Sequence, residues 1–324
     1  MNILITSASR KVGLIKAFQH ALSQNKGGKV IAVDVNSLSP ALYFADDYYL
    51  VPRSNNPEFM KTMLDMCEDL NIKLLIPTRD EELPFFAENK DKFSEIGTHV
   101  MVSDTETIEI CQNKELFTDF CQKNNFKIPK TYKNIDDFSK LEYPLFVKPK
   151  QGKGGVQTFR VNSEEELKLI INLVSEIIIQ EFIDAPEYTV DLFADFSGNV
   201  ISAVPRERIN VLGGESLVTK TFKNHVIIEE AIRLAENLKL VGHNTIQCFF
   251  DNNEVKFIEV NPRFGGAASI SFAAGAHSPS FLIRLIEGKY LKPMINNFKE
   301  GYIALRYVED MFIDESSLEK RRYP

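Results

Sequence analysis

The stretch that most restricts the fold is Phe257-Ile258-Glu259-Val260-Asn261-Pro262-Arg263-Phe264-Gly265-Gly266-Ala267-Ala268-Ser269. Residues 256–260 alternate apolar and polar side chains, which predicts a half-buried strand. Glu259 and Asn261 are two residues apart, so on an extended backbone they face the same side. A carboxylate and an amide oxygen then meet at a strand end, and hard cations such as Mg²⁺ take oxygen donors of this kind together with phosphate. Arg263 follows, placed for a phosphate oxygen. Taken alone, the string also fits a charged strand edge followed by a turn.

This strand is the second arm of a hairpin. Strands over 244–250 and 254–260 flank Asp251-Asn252-Asn253-Glu254, a turn. In that register Gln247 lies opposite residue 258 or 259 and can bring a third oxygen beside Glu259 and Asn261.

The chain before the hairpin has two textures. Up to about residue 102, short apolar strands (3–5, 30–33, 48–51, 74–76) alternate with helices (12–22, 57–70), which predicts a parallel α/β unit. Its polar segments Ser7-Ala8-Ser9-Arg10 and Thr78-Arg79-Asp80 follow strand ends, where open α/β sheets bind ligands. The first turn, Thr6 to Gly13, contains only Gly13, so the G-x-G-x-x-G fingerprint of a nicotinamide-binding turn is absent. Asp34 suits either a ribose contact or plain turn chemistry.

From about residue 104 the texture changes. Helices around 106–111 and up to Lys123 lead to strand 145–148, Pro149-Lys150-Gln151-Gly152-Lys153-Gly154-Gly155 and a return strand, 156–161. Gly152, Gly154 and Gly155 leave the backbone free to approach phosphates, and Lys148 and Lys153 add charge; a plain flexible hairpin is the alternative. The loop is not G-x-x-x-x-G-K-[ST]. Ser163 caps a helix that starts Glu164-Glu165-Glu166. A strand from Ile177 through Gln180-Glu181-Phe182-Ile183 runs into Asp184-Ala185-Pro186-Glu187. Strands 187–195 and 199–206, then helix 226–239, precede the hairpin, and 275–288 reads as helical.

Composition narrows the function classes. A net charge of −7 over 324 residues offers no attraction for nucleic acid or an anionic membrane. No 18-residue apolar run and no signal peptide is present. Cys67, Cys111, Cys121 and Cys248 show no metal spacing and suit thiols in a reducing compartment, so a cytoplasmic location is expected.

The ordered set Asn113-Lys114, Y-P-L-F-V-K-P-K-Q-G-K-G-G-V, I-I-I-Q-E-F-I-D-A-P-E-Y-T-V-D, N-T-I-Q-C-F-F and F-I-E-V-N-P-R-F-G-G resembles the ATP-grasp superfamily. Within it, the chain is similar to the large subunit of carbamoyl phosphate synthetase and its single-module relatives, over essentially its whole length.

The resemblance implies an α/β and α+β fold: a Rossmann-like pre-ATP-grasp domain (1–112), a lid subdomain with the Gly-rich hairpin (113–184) and a C-terminal subdomain carrying the metal ligands (185–324). It implies that Lys114 and Lys148 contact the phosphates of ATP, with Lys153, Gly154 and Gly155 in the lid above. It places Gln180, Glu181, Phe182 and Ile183 at adenine and Glu187 at the ribose. Gln247, Glu259 and Asn261 would hold two Mg²⁺ ions (Mn²⁺ being an alternative), with Glu259 bridging. Arg263 would stabilise the transferred phosphoryl, with Arg208 and Lys148 as further catalytic cations.

The implied reaction is phosphorylation of a small carboxylate and capture of the acyl phosphate by an amine, giving an amide, ADP and phosphate. A site of cations and oxygens suits it, because phosphoryl transfer needs mainly positioning and charge stabilisation. One module stands where the synthetase has two, so a stand-alone carboxylate–amine ligase is expected; the alternative is an ATP-binding subunit that needs a partner chain. For the substrate, Arg206, Arg208, Lys220, Gly265 and Gly266 are candidates, together with the loop Gly213-Gly214-Glu215-Ser216. Arg206 and Arg208 share a strand face and can grip a carboxylate bidentately, or be exposed ion-pairing arginines. Arg79-Asp80-Glu81-Glu82 either lines the same cleft or forms a helix N-terminal charge cluster. Related enzymes are often dimers, which admits a homodimer here.

Overall fold

The computed structural model describes residues 1–132, 138–152, 155–174, 176–315, 318 and 323. The first unit runs β1 (Asn2–Ile5), α1 (Val12–Ser23), β2 (Val30–Asp34), β3 (Asp47–Leu50), α2 (Phe59–Asp69), β4 (Ile72–Ile76), α3 (Leu83–Glu95) and β5 (His99–Val100). Its strands form a parallel sheet in the order β3-β2-β1-β4-β5. Such sheets are covered on both faces, so their strands are apolar throughout, as Ile3, Leu4 and Ile5 are. The order reverses between β1 and β4. The loops after these two strands, 6–11 and 77–82, therefore flank the crevice where such sheets hold ligands.

Helices α4 (Thr105–Gln112) and α5 (Lys114–Lys123) follow. Asn113 starts α5: its side-chain oxygen accepts from the N–H groups of Glu115 and Leu116, satisfying two donors the helix leaves open. Next come β6 (Thr131–Tyr132), β7 (Leu145–Pro149), β8 (Phe159–Val161), α6 (Glu164–Leu173) and β9 (Ile177–Glu181), with an antiparallel sheet in the order β6-β9-β7-β8. Ser163 caps α6 as expected. The strand expected from Val156 begins three residues later, at Phe159. Residues 155–157 form a turn, and Gln157 has a φ of 56°, outside the extended region.

The last unit comprises β10 (Glu187–Ala194), β11 (Val200–Leu212), β12 (Glu215–Thr221), α7 (His225–Asn237), β13 (Gly242–Asp251), β14 (Glu254–Asn261), α8 (Ser269–Ala273), α9 (Ser278–Ile286) and β15 (Ile303–Leu305). Its sheet runs β14-β13-β10-β11-β12-β15. The expected strand ending at Arg206 continues to Leu212, and the expected 213–216 loop is a hairpin turn of only two residues. Gly213 and Gly214 both have positive φ, 57° and 76°, as tight hairpins of this hand require. Neither β12 nor β15 is readable from the sequence pattern.

Period-two alternation gives this sheet two unlike faces. Val190, Leu192, Ala203, Ile246 and Val260 face one way and pack with Ile227, Ala231 and Leu234 of α7. The other face is polar and carries the site. A second core joins both ends of the chain: α1 and the β1 side of the parallel sheet pack on Phe264, Phe272, Phe281 and Leu282. The Phe18 and Phe264 rings meet edge-on at 5.8 Å. Burying one such phenylalanine stabilises by about 1.5–3 kcal/mol. This core fixes the 6–11 and 77–82 loops against the end of β14.

Candidate active site

Arg206, Thr189, Gln247 and Glu259 are direct neighbours in register across β11, β10, β13 and β14, so all four share the polar face. Gln247 is opposite Glu259, the closer of the two registers expected. Its Nε2 donates to Glu259 Oε1 at 2.8 Å, and Asn261 Nδ2 donates to the same oxygen at 3.0 Å. Both amide nitrogens thus turn toward Oε1, leaving Glu259 Oε2 and the Gln247 amide oxygen without a protein donor among the described residues. One carboxylate and two amide oxygens are hard donors carrying a single negative charge, a set that fits Mg²⁺ shared with phosphate.

Two cavities meet at this row and share Arg208, Gly214, Gln247 and Glu259. The first, about 390 Å³, lies between the antiparallel sheets. Lys114 and Lys148 enter it from one side, Glu181–Ile183 from the strand end, and Gly152 and Gly155 from the loop. Lys114 Nζ donates to the Gly152 carbonyl at 2.8 Å, tying helix α5 to the glycine loop. Lys148 is almost fully buried. Desolvation lowers its pKa to about 8, opposed by Glu259 and reinforced by Lys114. Desolvation lowers the Lys114 pKa as well.

At the strand end, the Glu181 N–H donates to Lys130 O and the Phe182 N–H to Pro144 O. The Ile183 N–H is the one of the three with no backbone acceptor among the described residues. The Glu181 carboxylate holds Lys256 Nζ at 2.8 Å and the Lys130 N–H at 2.9 Å, and Gln180 Nε2 donates to Thr131 Oγ1. These two side chains brace the strand end. Glu187 lies 3.0 Å from Arg208 Nε; burial pushes its pKa up and Arg208 pulls it down. Lys153 and Gly154 lie outside the described residues.

The second cavity, about 550 Å³, is bounded by the two crevice loops of the parallel sheet and the 263–269 stretch. Arg79-Asp80 lines it, as one of the two expected readings had it. Asp80 takes Arg263 Nε at 2.6 Å and Nη2 at 2.7 Å, and Arg263 Nη2 also reaches Asn261 Oδ1 at 3.2 Å. Glu82 is buried instead, accepting from the hydroxyls of Thr6 and Ser7.

Two substrate expectations need correction. Arg206 is neither exposed nor free to grip a ligand: it is 2% exposed, and Asp191 takes its Nε at 3.0 Å and Nη2 at 3.4 Å. Lys220 is in register with Glu207, on the face opposite Arg206 and Arg208, and lines neither cavity. Gly265 has a packing reason for being glycine, since a Cβ would come within 2.7 Å of Thr245 Oγ1. It still borders the second cavity, as does Gly266, which sits beside Arg306 and Glu215. Arg306 carried no sequence signal, because it reaches the site only through β15.

The family model described as "ATP-grasp domain" matches residues 111–267, which span both cavity-forming sheets. Residues 111–267 therefore carry an ATP-grasp domain. A second model, "PylC-like, N-terminal domain", matches residues 3–101. The carbamoyl phosphate synthase large chain of Thermoanaerobacter sp. (strain X514) is 27% identical over 226 residues, 63% of this chain and 21% of the relative. The chain therefore spans about a fifth of the length of such curated relatives. The L-amino acid ligase from Bacillus licheniformis superposes with a TM-score of 0.70 at 22% identity, covering 90% of this chain and 75% of that one. The biotin carboxylase domain of Hydrogenobacter thermophilus 2-oxoglutarate carboxylase, solved with MgADP and bicarbonate, gives 0.73 at 15% identity, covering 93% and 73%. At these identities the likeness is one of fold. Among the described residues, no helix is long and apolar enough to cross a membrane.

Proposed function

We propose that this ATP-grasp protein is an ADP-forming ligase that activates a small carboxylate with ATP and joins it to an amine. The observation that carries this reading is the position of Gln247 and Glu259 on the wall shared by the two cavities. A triphosphate in the first cavity and a carboxylate in the second would meet there.

In this reading the base sits against Glu181–Ile183, with the Ile183 N–H as donor, and Glu187 takes a ribose hydroxyl. Lys114 and Lys148 neutralise phosphate oxygens, and Gly155 covers them. Gln247, Glu259 and Asn261 would hold two Mg²⁺ ions. Bound there, Mg²⁺ supplies charge neutralisation along the triphosphate. The carboxylate oxygen attacks the γ-phosphorus, an O–P bond forms, and the bond to the β-phosphate oxygen breaks, releasing ADP. The amine nitrogen then attacks the acyl carbon, phosphate leaves, and the amine gives up a proton. Arg263, held straight by Asp80, and Arg208 face the charge that develops on the transferred group. Its four cysteines are free thiols, which suits a cytoplasmic location.

The test is ADP release across a panel of carboxylates, with hydroxylamine as a general amine that traps any acyl phosphate as a hydroxamate. The expected result is hydroxamate formed in step with ADP. ATP binding without ADP release across the panel would instead favour an ATP-binding subunit that depends on a partner chain.

A further inference from the structure

Six arginines and one lysine line the second cavity, so its charge balance is informative. Arg263 is matched by Asp80, Arg206 by Asp191, Arg208 by Glu187 and Arg79 by Glu81. That leaves Arg10, Lys11 and Arg306 with one carboxylate, Glu215, which accepts from Arg10 Nη2 at 3.4 Å and Arg306 Nη1 at 2.8 Å. Lys11 has no carboxylate within ion-pairing distance among the described residues; its ammonium reaches only the Ser7 carbonyl, at 3.4 Å. The nearest acids, Glu82 and Asp34, offset its charge only at longer range. Glu82 takes the Thr6 and Ser7 hydroxyls, and Asp34 takes the N–H groups of Ser9 and Asn36. Three cations lining this cavity therefore share one directly paired carboxylate.

The corner's position adds to this. Lys11 stands at the N-terminal end of α1, a 12-residue helix with no side-chain cap and no acid in its first turn. Gly13 and Leu14 line the same cavity, so the positive end of the helix dipole adds to the ammonium. Burial, helped by the nearby Arg263, depresses the Lys11 pKa to about 8 against the opposing pull of Glu82 and Asp34. Gly266 connects this corner to the metal-ligand end: a Cβ there would sit 3.6 Å from Arg306 Nη1, and Gly265 precedes it toward Arg263.

Building on the ligase reading, the geometry points to a substrate whose reacting carboxylate is accompanied by a second anionic group, a carboxylate or a phosphate, seated between Arg10, Lys11 and Arg306. The reacting carboxylate lies near Arg263 and Glu259, and the second anion anchors the far end. A monoanion leaves these cations without a second directly paired anion, so it binds more weakly.

Calorimetric titration of the full-length, nucleotide-free protein tests this with length-matched probes: succinate against butyrate, glutarate against valerate, and 3-phosphoglycerate against glycerate. The expected result is that at least one doubly charged probe binds about tenfold or more tightly than its match. Its identity separates carboxylate from phosphate. Lys11→Met and Arg306→Met should each bring that ratio near one, while Lys11→Arg keeps it. Should Lys11→Met fail to fold, Arg306→Met, on an exposed segment, still decides. A ratio near one for all three pairs in the unmodified protein, or an undiminished ratio in a folded Arg306→Met variant, would overturn the inference. Because no turnover is involved, these outcomes are independent of whether ADP release is found.

Discussion

Asp80 grips Arg263 with both carboxylate oxygens, 2.6 Å from Nε and 2.7 Å from Nη2, across a separation of 183 residues. The pair joins the crevice loop of the parallel sheet to the strand that carries Glu259 and Asn261. It fixes the guanidinium plane before any ligand arrives, which is the kind of preorganisation phosphoryl transfer rewards.

Asp80→Asn keeps the shape but removes the charge and one acceptor. Turnover should fall by about a hundredfold, while ADP affinity, set in the other cavity, changes little. Steady-state ADP release and ADP titration together check this; a loss of affinity as large as the loss of rate would count against a positioning role for Asp80.

Glu259→Ala removes the carboxylate that organises both amides. ADP release should drop by at least about a hundredfold, and the Mg²⁺ dependence of nucleotide binding should flatten. The circular dichroism spectrum should stay unchanged, because Glu259 lies on the polar face of its sheet. An undiminished rate would refute the metal assignment.

Lys148 gives a pH prediction. Its pKa is lowered to about 8, so the free protein carries this cation below pH 8 and loses it above. Affinity for ADP should be level below that value and weaken above it, approaching about tenfold per pH unit, and Lys148→Met should remove the slope. The sign for stability is the reverse. The folded pKa lies below the unfolded value of about 10.4, so folding disfavours the charged amine, and this group's contribution improves as pH rises from about 8 toward 10.4.

The turn at Gly213-Gly214 also positions Arg208, whose Nη2 donates to the Gly214 carbonyl at 3.0 Å. Gly214→Val forces a branched side chain into a left-handed backbone, at a cost of about 1–2 kcal/mol. Thermal denaturation should show a midpoint lower by about 2–8 °C, with reduced turnover at temperatures where the variant is folded.

Local pattern made much of this protein legible. Alternation over 256–260 announced the strand, and the turn at 251–254 set Gln247 against Glu259 to within one residue. The strand–helix rhythm of the first hundred residues gave the parallel unit and its two crevice loops. These features follow from short-range rules: side chains alternate on a strand, recur on a helix face, and turns need particular residues. Strand β12, whose period-two signal is broken by a register shift, and the three-residue β15 lie below what such rules resolve.

Tertiary structure alone decided which charges are available. Nothing in the sequence around Arg206 says that Asp191 neutralises it in a buried pair, or that Lys220, one strand away, points to the opposite face. Nor does the sequence near Arg263 name Asp80, or that near Glu215 name Arg10 and Arg306. Composition supplies the ions, but packing brings the two ends of the chain into one core and chooses their partners. Desolvation then enforces the choice, because a buried charge must find a counter-charge or a ligand. The sequence determined the strand that offers Glu259 and Asn261; the folded chain determined which of the cations around it are directly paired.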